Sequence, residues 1–397
     1  MKKGWQTKTL GDVCRIATVL VDPRMTEFEE MLHVGGANIE SATGELIDLK
    51  TAKEEGLKSG KFAFDDSMVL YSKIRPYLMK VARPDFEGLC SADIYPLTPD
   101  PAVLDRGYLF HQLLSPQFTE FAVSGSARAG MPKANRDHLF TFQFPVPPLA
   151  EQQRIVGLLD EAFEGHANAK ANAEKNLQNA RALFESHLQS VFTQRGPGWV
   201  EKKLEDIADA DCSLSYGIVQ PGDEFDEGMP IVRPTDLTTK FIRLGGLKRI
   251  DPKLAGGYKR TALQGGDLLL CVRGSTGVVS IASPELVGAN VTRGIVPIRF
   301  NRSLLLPEFG FYLISGGPVQ CQIREKTYGT ALMQINIRDL RLISLSIPPL
   351  KEQKTIAAKL DSLHDETQRL AHLYEQRIAA LEALKKSLLH QAFTGQL

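Results

Sequence analysis

The sequence predicts an α+β fold. Two similar mixed domains are separated by two long helices that pair as an antiparallel coiled coil, giving a pseudo-two-fold internal repeat. Three observations predict this. The 397-residue chain repeats itself with a period of about 200 residues. Two proline-free stretches rich in Ala, Leu, Glu, Gln and Lys each follow a Pro-Pro pair. Short strand-like and helix-like runs alternate in the regions between.

The repeat is clearest at its edges. Gly4-Trp5-Gln6-Thr7-Lys8-Thr9-Leu10-Gly11-Asp12-Val13 matches Gly198-Trp199-Val200-Glu201-Lys202-Lys203-Leu204-Glu205-Asp206-Ile207, and these segments hold both tryptophans of the chain. Pro147-Pro148-Leu149-Ala150-Glu151-Gln152-Gln153-Arg154-Ile155 matches Pro348-Pro349-Leu350-Lys351-Glu352-Gln353-Lys354-Thr355-Ile356, followed by Leu159-Asp160 and Leu360-Asp361. Phe192-Thr193 and Phe393-Thr394 close the two copies. Inside each copy the echoes are weaker: Met68-Val69-Leu70 aligns with Leu268-Leu269-Leu270, and Asn135 and Leu139 align with Asn336 and Leu340. Two copies of one architecture serving different targets would diverge in this way.

The chain thus divides into a first mixed domain (1–150), a first spacer helix (151–197), a second mixed domain (198–350) and a second spacer helix (351–397). In the mixed domains, Ser67–Tyr71 and Asp267–Val272 read as strands. Tyr108–Leu114 and Phe309–Ile314 read as helices, stopped by Ser-Pro and Gly-Gly-Pro respectively. Each spacer starts after prolines, which a helix tolerates before its first turn and not inside. Glu151 and Glu352 fall in the first turn, where a carboxylate suits the helix dipole. In the second helix Ile356, Leu363, Leu370 and Leu384 recur at sevens, and so do Leu360, Tyr374, Leu381 and Leu388. With Ile155 and Leu159 of the first helix, these residues are expected to form the packing seam. Ala162, Ala169, Ala173 and Ala180 would let a leucine-rich partner helix approach closely. Helix one must carry the chain to the second domain, so helix two is expected to run back, bringing Leu397 near Met1.

Composition excludes several classes. The 47 Lys and Arg balance 47 Asp and Glu, which argues against a non-specific nucleic-acid binder. No apolar run is long enough to span a membrane and no signal peptide opens the chain, so a cytoplasmic protein with no membrane partner is expected. Cys14, Cys90, Cys212, Cys271 and Cys321 are scattered, which predicts free thiols and neither a disulfide framework nor a metal site. No phosphate-binding loop, nucleophile elbow or metalloprotease signature occurs, so no catalytic residue is assigned. His364, His372 and His390 read as a solvated helix face.

What remains is a set of loops that mix Arg, Lys, Asn, Gln and hydroxyls with glycine, a chemistry suited to base edges and phosphates. In the first domain these residues are Lys73 and Arg75 after one strand, then Arg128, Lys133, Asn135 and Arg136 near the domain's end. In the second they are Arg273, Ser275 and Thr276, then Thr330, Gln334, Asn336 and Arg338. Taken singly each loop reads more readily as solvated surface; their paired placement in both copies brings the reading role level with it.

The Pro-Pro-Leu-x-Glu-Gln-x-x-Ile segments, the Gly-Trp-x-x-x-x-Leu-x-Asp openings and the Gln391-Ala392-Phe393-Thr394-Gly395-Gln396-Leu397 ending resemble the specificity subunits of Type I restriction–modification systems. The resemblance runs along the whole chain. It implies two target-recognition domains, each reading one half of a bipartite site in double-stranded DNA, with the helix pair setting the gap. It also implies docking of two modification (methyltransferase) subunits, to which restriction (translocase and nuclease) subunits add. AdoMet, ATP and Mg would then belong to those partners, with no cofactor bound by this chain and no catalysis of its own. Two other readings stay open at this point: the recognition subunit of a Type II-like bifunctional system, and a coiled-coil scaffold that binds proteins alone.

Overall fold

The computed structural model describes residues 4–126, 132–212, 214–330 and 332–397. The first copy contains β1 (Gln6–Thr9), α1 (Leu10–Val13), β2 (Cys14–Ile16), β3 (Val69–Ser72), β4 (Ile94–Pro99), α2 (Arg106–Leu113), α3 (Pro116–Ser124), α4 (Arg136–Phe140), β5 (Gln143–Val146) and α5 (Leu149–Thr193), with shorter strands between. The second contains β6 (Val200–Lys203), α6 (Leu204–Ile207), β7 (Leu268–Cys271), β8 (Ile295–Ile298), α7 (Pro307–Ser315), α8 (Gly317–Lys326), β9 (Thr327–Tyr328), β10 (Gln334–Ile335), α9 (Ile337–Arg341), β11 (Ser344–Ile347) and α10 (Leu350–Thr394).

The two copies share their register. β1 pairs antiparallel with β5, Gln6 opposite Val146, and β6 pairs with β11, Val200 opposite Ile347. Thr9 caps α1 in a reciprocal box with Asp12, and Asp206 accepts the Lys203 amide at the matching turn. At the centre of each copy lies a four-stranded sheet: β2, β4, β3 and Val81–Ala82, all antiparallel, in one, and Phe241–Ile242, Val279–Ala282, β7 and β8 in the other, where the first pair is parallel and the rest antiparallel. Its central strands are buried on both faces, so β3 and β7 show no polar alternation. Beside it in the first copy lies a five-stranded sheet ordered Leu20–Val21, Lys61–Phe64, Gly88–Cys90, Leu32–Val34, Lys50–Thr51. The expected stop after α2 is a hand-over: Ser115 accepts the Phe118 amide and caps α3, with Pro116 in its first turn.

Both spacer helices contain 45 residues, about 67 Å at the usual rise. The repeated glutamine explains how each is tied to its domain. Gln152 is fully buried; its amide donates to the Val103 and Pro147 carbonyls at 2.8 and 2.7 Å and accepts the Asp105 amide at 2.7 Å. Gln353 repeats all three bonds with Leu304, Pro348 and Leu306. Each side chain stitches a helix start, the preceding proline turn and the entrance to α2 or α7 into one network.

The chain forms two compact units, residues 1–174 with 375–397 and residues 175–374. Within each, α5 and α10 run antiparallel. In the first unit His166 Nε2 lies 3.1 Å from the Leu381 carbonyl, Lys170 pairs with Glu382 at 2.6 Å, and Arg154 reaches the Leu397 carbonyl at 3.0 Å. In the second the Phe184 and His364 rings meet at 5.0 Å, so His364 belongs to the packed face, unlike the exposed His372 and His390. The last turn of α10 closes the first domain, where Phe393 packs edge-on against Tyr108 at 5.2 Å; Phe192 at the end of α5 packs at a tilt against Phe309 at 5.7 Å in the second.

The seam corrects one expected stripe. Ile155, Leu159 and Leu360 are buried, and Leu381 and Leu388 are half-buried. The set of sevens that starts at Ile356, however, lies one residue off. The deeper positions are Ala357, Ala371 and Ala392, while Ile356, Leu363 and Leu370 flank them half-buried and Leu384 is 50% exposed. A seven-residue period is identical on neighbouring stripes of a helix, so it does not say which stripe faces inward. In helix one Ala173 and Ala180 are buried as expected; Ala162 and Ala169 are only half-buried. The free thiols are buried at Cys14, Cys90, Cys212 and Cys271, with burial pushing Cys14 and Cys90 up to about 12; Cys321 alone is exposed.

Candidate nucleic-acid interface

Strand register sets the structural equivalence of the two copies. Ser72 of β3 faces Ile94 of β4, and Cys271 of β7 faces Ile295 of β8, so Val69–Ser72 corresponds to Leu268–Cys271. This shifts the sequence alignment of Met68-Val69-Leu70 by one residue. A fully apolar run on either side of the comparison gives no alternation by which to fix it.

Past the strands, each chain turns into the same local structure. In the first copy Ile74 bridges to Lys133, the Arg75 amide donates to the Pro132 carbonyl at 2.8 Å, and Ala134 donates to the Lys73 carbonyl. In the second, Arg273 bridges to Gln334, the Gly274 amide donates to the Met333 carbonyl at 2.8 Å, and Ile335 donates to the Val272 carbonyl. The loop after the central strand is thereby zipped to the segment that leads into α4 or α9. The pivot residue is left-handed in both: Gly274 has φ +85°, natural for glycine, while Arg75 adopts φ +50° despite its side chain. A non-glycine residue held there costs about 1–3 kcal/mol, which the surrounding backbone bonds must sustain.

The expected site residues fall around this station. Arg75 is exposed. Lys73 is engaged within the fold: its ammonium reaches the Ala92 carbonyl at 2.5 Å and lies 5.0 Å from the Tyr95 ring centre. Burial and the neighbouring Lys133 charge lower its pKa, with Asp93 opposing. Lys133 pairs with Asp93 at 3.0 Å. Asn135 caps α4 by accepting the Asp137 amide at 2.9 Å, and Arg136 is exposed, its guanidinium 5.6 Å from the Phe140 ring centre. Arg128 lies outside the described residues.

In the second copy Arg273 is half-buried at the bridge and Ser275 is exposed beside it. Thr276 contacts the Met333 carbonyl at 3.3 Å. Thr330 is exposed in the turn joining β9 to β10, and Gln334 lies half-buried in β10. Asn336 precedes α9 and accepts the Tyr328 hydroxyl at 2.5 Å; Arg338 is exposed on that helix. The structure thus gathers Arg75, Lys133, Asn135 and Arg136 in one copy, and Arg273, Ser275, Thr276, Gln334, Asn336 and Arg338 in the other.

Sequence reasoning missed the groups that hold each domain on its helix. Asp160 accepts from buried His111 at 2.7 Å and from Arg83 at 3.1 Å. Asp361 accepts the Tyr312 hydroxyl at 2.5 Å and pairs with Lys240. Burial lowers the His111 pKa although Asp160 opposes it. Burial alone would raise that of Asp160, but its bonds to His111 and Arg83 outweigh it and leave it lowered. Burial, then the bond to Asp361, raises that of Tyr312. The signal was present: Leu-Asp repeats at 159–160 and 360–361.

A family model described as the Type I restriction modification DNA specificity domain matches residues 2–176 and 197–382. The Type I restriction enzyme EcoDI specificity subunit of Escherichia coli is 34% identical over 190 residues, 48% of this chain and 41% of that protein. The EcoBI specificity subunit of the same organism is 24% identical over 275 residues, 64% of this chain and 58% of that one. The chain thus spans less than two-thirds of the length of either relative. A solved chain of a type I R-M system has the same fold, with a TM-score of 0.77 at 22% identity, covering 100% of this chain and 99% of the other. Neither the Type II-like nor the scaffold reading gains support from these matches. The chain belongs to the Type I restriction modification DNA specificity domain family, and its fold agrees.

Proposed function

We propose that this chain is the sequence-reading subunit of a Type I restriction–modification complex, each copy reading one half of a bipartite site in double-stranded DNA. The observation that carries this reading is the duplicated station. Identical backbone bonds hold two loops together in each copy, while the side chains they present differ. One fold is thereby fitted to two different sequences. Exposed Arg75, Arg136 and Arg338 suit guanine edges or phosphates, and Gln334 and Asn336 suit adenine. Arg128 stays a candidate on its sequence alone. Lys73 and Lys133, held by Asp93 and nearby carbonyls, would shape the loop more than read bases.

In this reading the chain works without catalysis or cofactor of its own and docks two modification subunits that use AdoMet. Restriction subunits using ATP and Mg add to those. The balanced charge fits a subunit whose partners share the phosphate contacts. Among the described residues no helix is long and apolar enough to cross a membrane, and the assembly would act in the cytoplasm. The shared helices α5 and α10 would set the gap between half-sites.

The test is co-expression with the modification subunit of its own system, followed by genome-wide mapping of methylated adenines. A bipartite motif with a fixed gap, lost when this chain is omitted, is expected. A stable complex that methylates nothing, with no salt-dependent selective DNA binding, would overturn the reading.

A further inference from the structure

Next to the second copy's station the β9–β10 hairpin turns apolar side chains outward. It presents Leu332 and Met333 with 45% and 43% of their surface exposed, and Tyr328 at the mouth of its loop with 44%. Apolar side chains this exposed at a hairpin tip gain nothing from solvent.

The backbone beneath them is fixed. Gly274 donates to the Met333 carbonyl at 2.8 Å, Thr276 contacts the same oxygen at 3.3 Å, and Tyr328 bonds Asn336. Gly329 makes the turn at φ +112°, where an added Cβ would lie 2.4 Å from the Leu332 carbonyl. At the pivot, a Cβ built on Gly274 would come within 3.9 Å of Leu332 Cδ1. The volume that Arg75 fills in the first copy is therefore bordered, in the second, by an apolar side chain arriving from the hairpin. Beside it stand Arg273 and Ser275, which flank Gly274, and Gln334, which bridges to Arg273, all groups suited to phosphates and base edges; exposed Arg338 follows on α9. Charge and hydrogen-bonding chemistry on this rim select DNA as the occupant.

We propose that Leu332 and Met333 read the 5-methyl group of a thymine in the major groove of the half-site bound by the second domain. Apolar contact is how a protein detects that methyl, which is the one apolar feature on a base edge in that groove. The two domains would then use one station for opposite chemistry, a guanidinium in the first and an apolar pair in the second. This inference rests on the DNA-reading function proposed above.

The test uses the full chain in complex with its modification subunits and a duplex carrying the mapped motif. Each thymine, on either strand, is replaced in turn by deoxyuridine, which removes only the methyl. One replacement is expected to weaken binding by about fourfold, the value of one buried methyl-sized group. In a Leu332→Ala/Met333→Ala variant the unmodified duplex should bind more weakly, and that replacement should cause no further loss. Both residues are exposed, so the variant's fold is checked by an unchanged unfolding midpoint. A motif in which no thymine responds, or one whose response survives in the variant, overturns this inference while leaving DNA reading intact. Absence of any recognised motif overturns both.

Discussion

Replacing Gln152 by leucine removes three hydrogen bonds at once while nearly keeping the side chain's volume. The Asp105 amide and the Val103 and Pro147 carbonyls lose their partner. An orphaned buried polar group costs about 1–3 kcal/mol. Pro147 is buried and takes the full penalty; Val103 and Asp105 are half-buried, so water recovers part of theirs. The expected loss is about 3–5 kcal/mol, at the severe end for a single substitution. The first unit contains Trp5 and the second Trp199. Urea unfolding followed by tryptophan fluorescence in a Trp199→Phe background therefore reports the first unit alone. The loss should appear there and be small at Trp199 in a Trp5→Phe background. Gln353→Leu should invert the pattern. A loss under about 1 kcal/mol, or an equal loss at both tryptophans, would refute the idea that this amide ties each helix to its own domain.

Acid should weaken the first unit selectively. His111 has its pKa lowered by burial, so the unfolded chain binds the extra proton as pH falls below the ordinary 6.5. The stabilisation is present above that value and lost beneath it; His33, also lowered by burial, acts in the same direction. In the second unit Tyr312 replaces His111, and its raised pKa contributes stability that is complete below pH 10 and lost only above it. The two single-tryptophan backgrounds, melted between pH 8 and pH 5, should diverge, and parallel curves would contradict this. Arg75→Gly should leave stability equal or higher, because glycine accepts φ +50° freely, yet cost about 1–3 kcal/mol of discrimination at one base of the first half-site; quantitative binding to single-base variants measures it. Leu384→Gln, at an exposed position, should change the unfolding free energy by no more than about 0.5 kcal/mol, whereas a larger loss in urea unfolding would restore that leucine to the seam.

Much of the architecture could be read in advance because strong local rules govern it. Pro-Pro followed by forty proline-free residues marks each long helix to within two residues of its observed start. The Gly-Trp and Leu-Asp pairs mark the repeat. The misplaced features share a physical origin: a periodic or uniform pattern fixes an element without fixing its phase. The leucine sevens of α10 sit on two adjacent stripes, and only tertiary packing chooses Ala357 and Ala371 over Leu363 and Leu370. The apolar runs of β3 and β7 slide by one residue without penalty in sequence terms. His111 and Tyr312 do the same work on Asp160 and Asp361 with unlike side chains, which no residue-by-residue match would pair. Arg75 and Gly274 share a backbone conformation and nothing else.

That last pair shows why the interior of the repeat is free to diverge. The positions that bind helix to domain use side chains, and they repeat: Gln152 and Gln353, Asp160 and Asp361, Phe192 and Phe393. At the station the bonds run from backbone to backbone, Arg75 to Pro132 and Gly274 to Met333. Those bonds make no demand on side-chain identity, so Lys73, Ile74 and Arg75 stand where the second copy has Val272, Arg273 and Gly274. The conserved exception supports the rule, because Asn135 and Asn336 precede α4 and α9, and in the first copy the Asn135 side chain is the helix cap. Exposed substitutions at this station, including the exchange of Arg75 for glycine, should therefore alter which bases are read without lowering the unfolding free energy by more than about 1 kcal/mol. A fall in stability as large as that expected for Gln152→Leu would mean that the presented side chains also hold the loops together, and that the two roles are not separate.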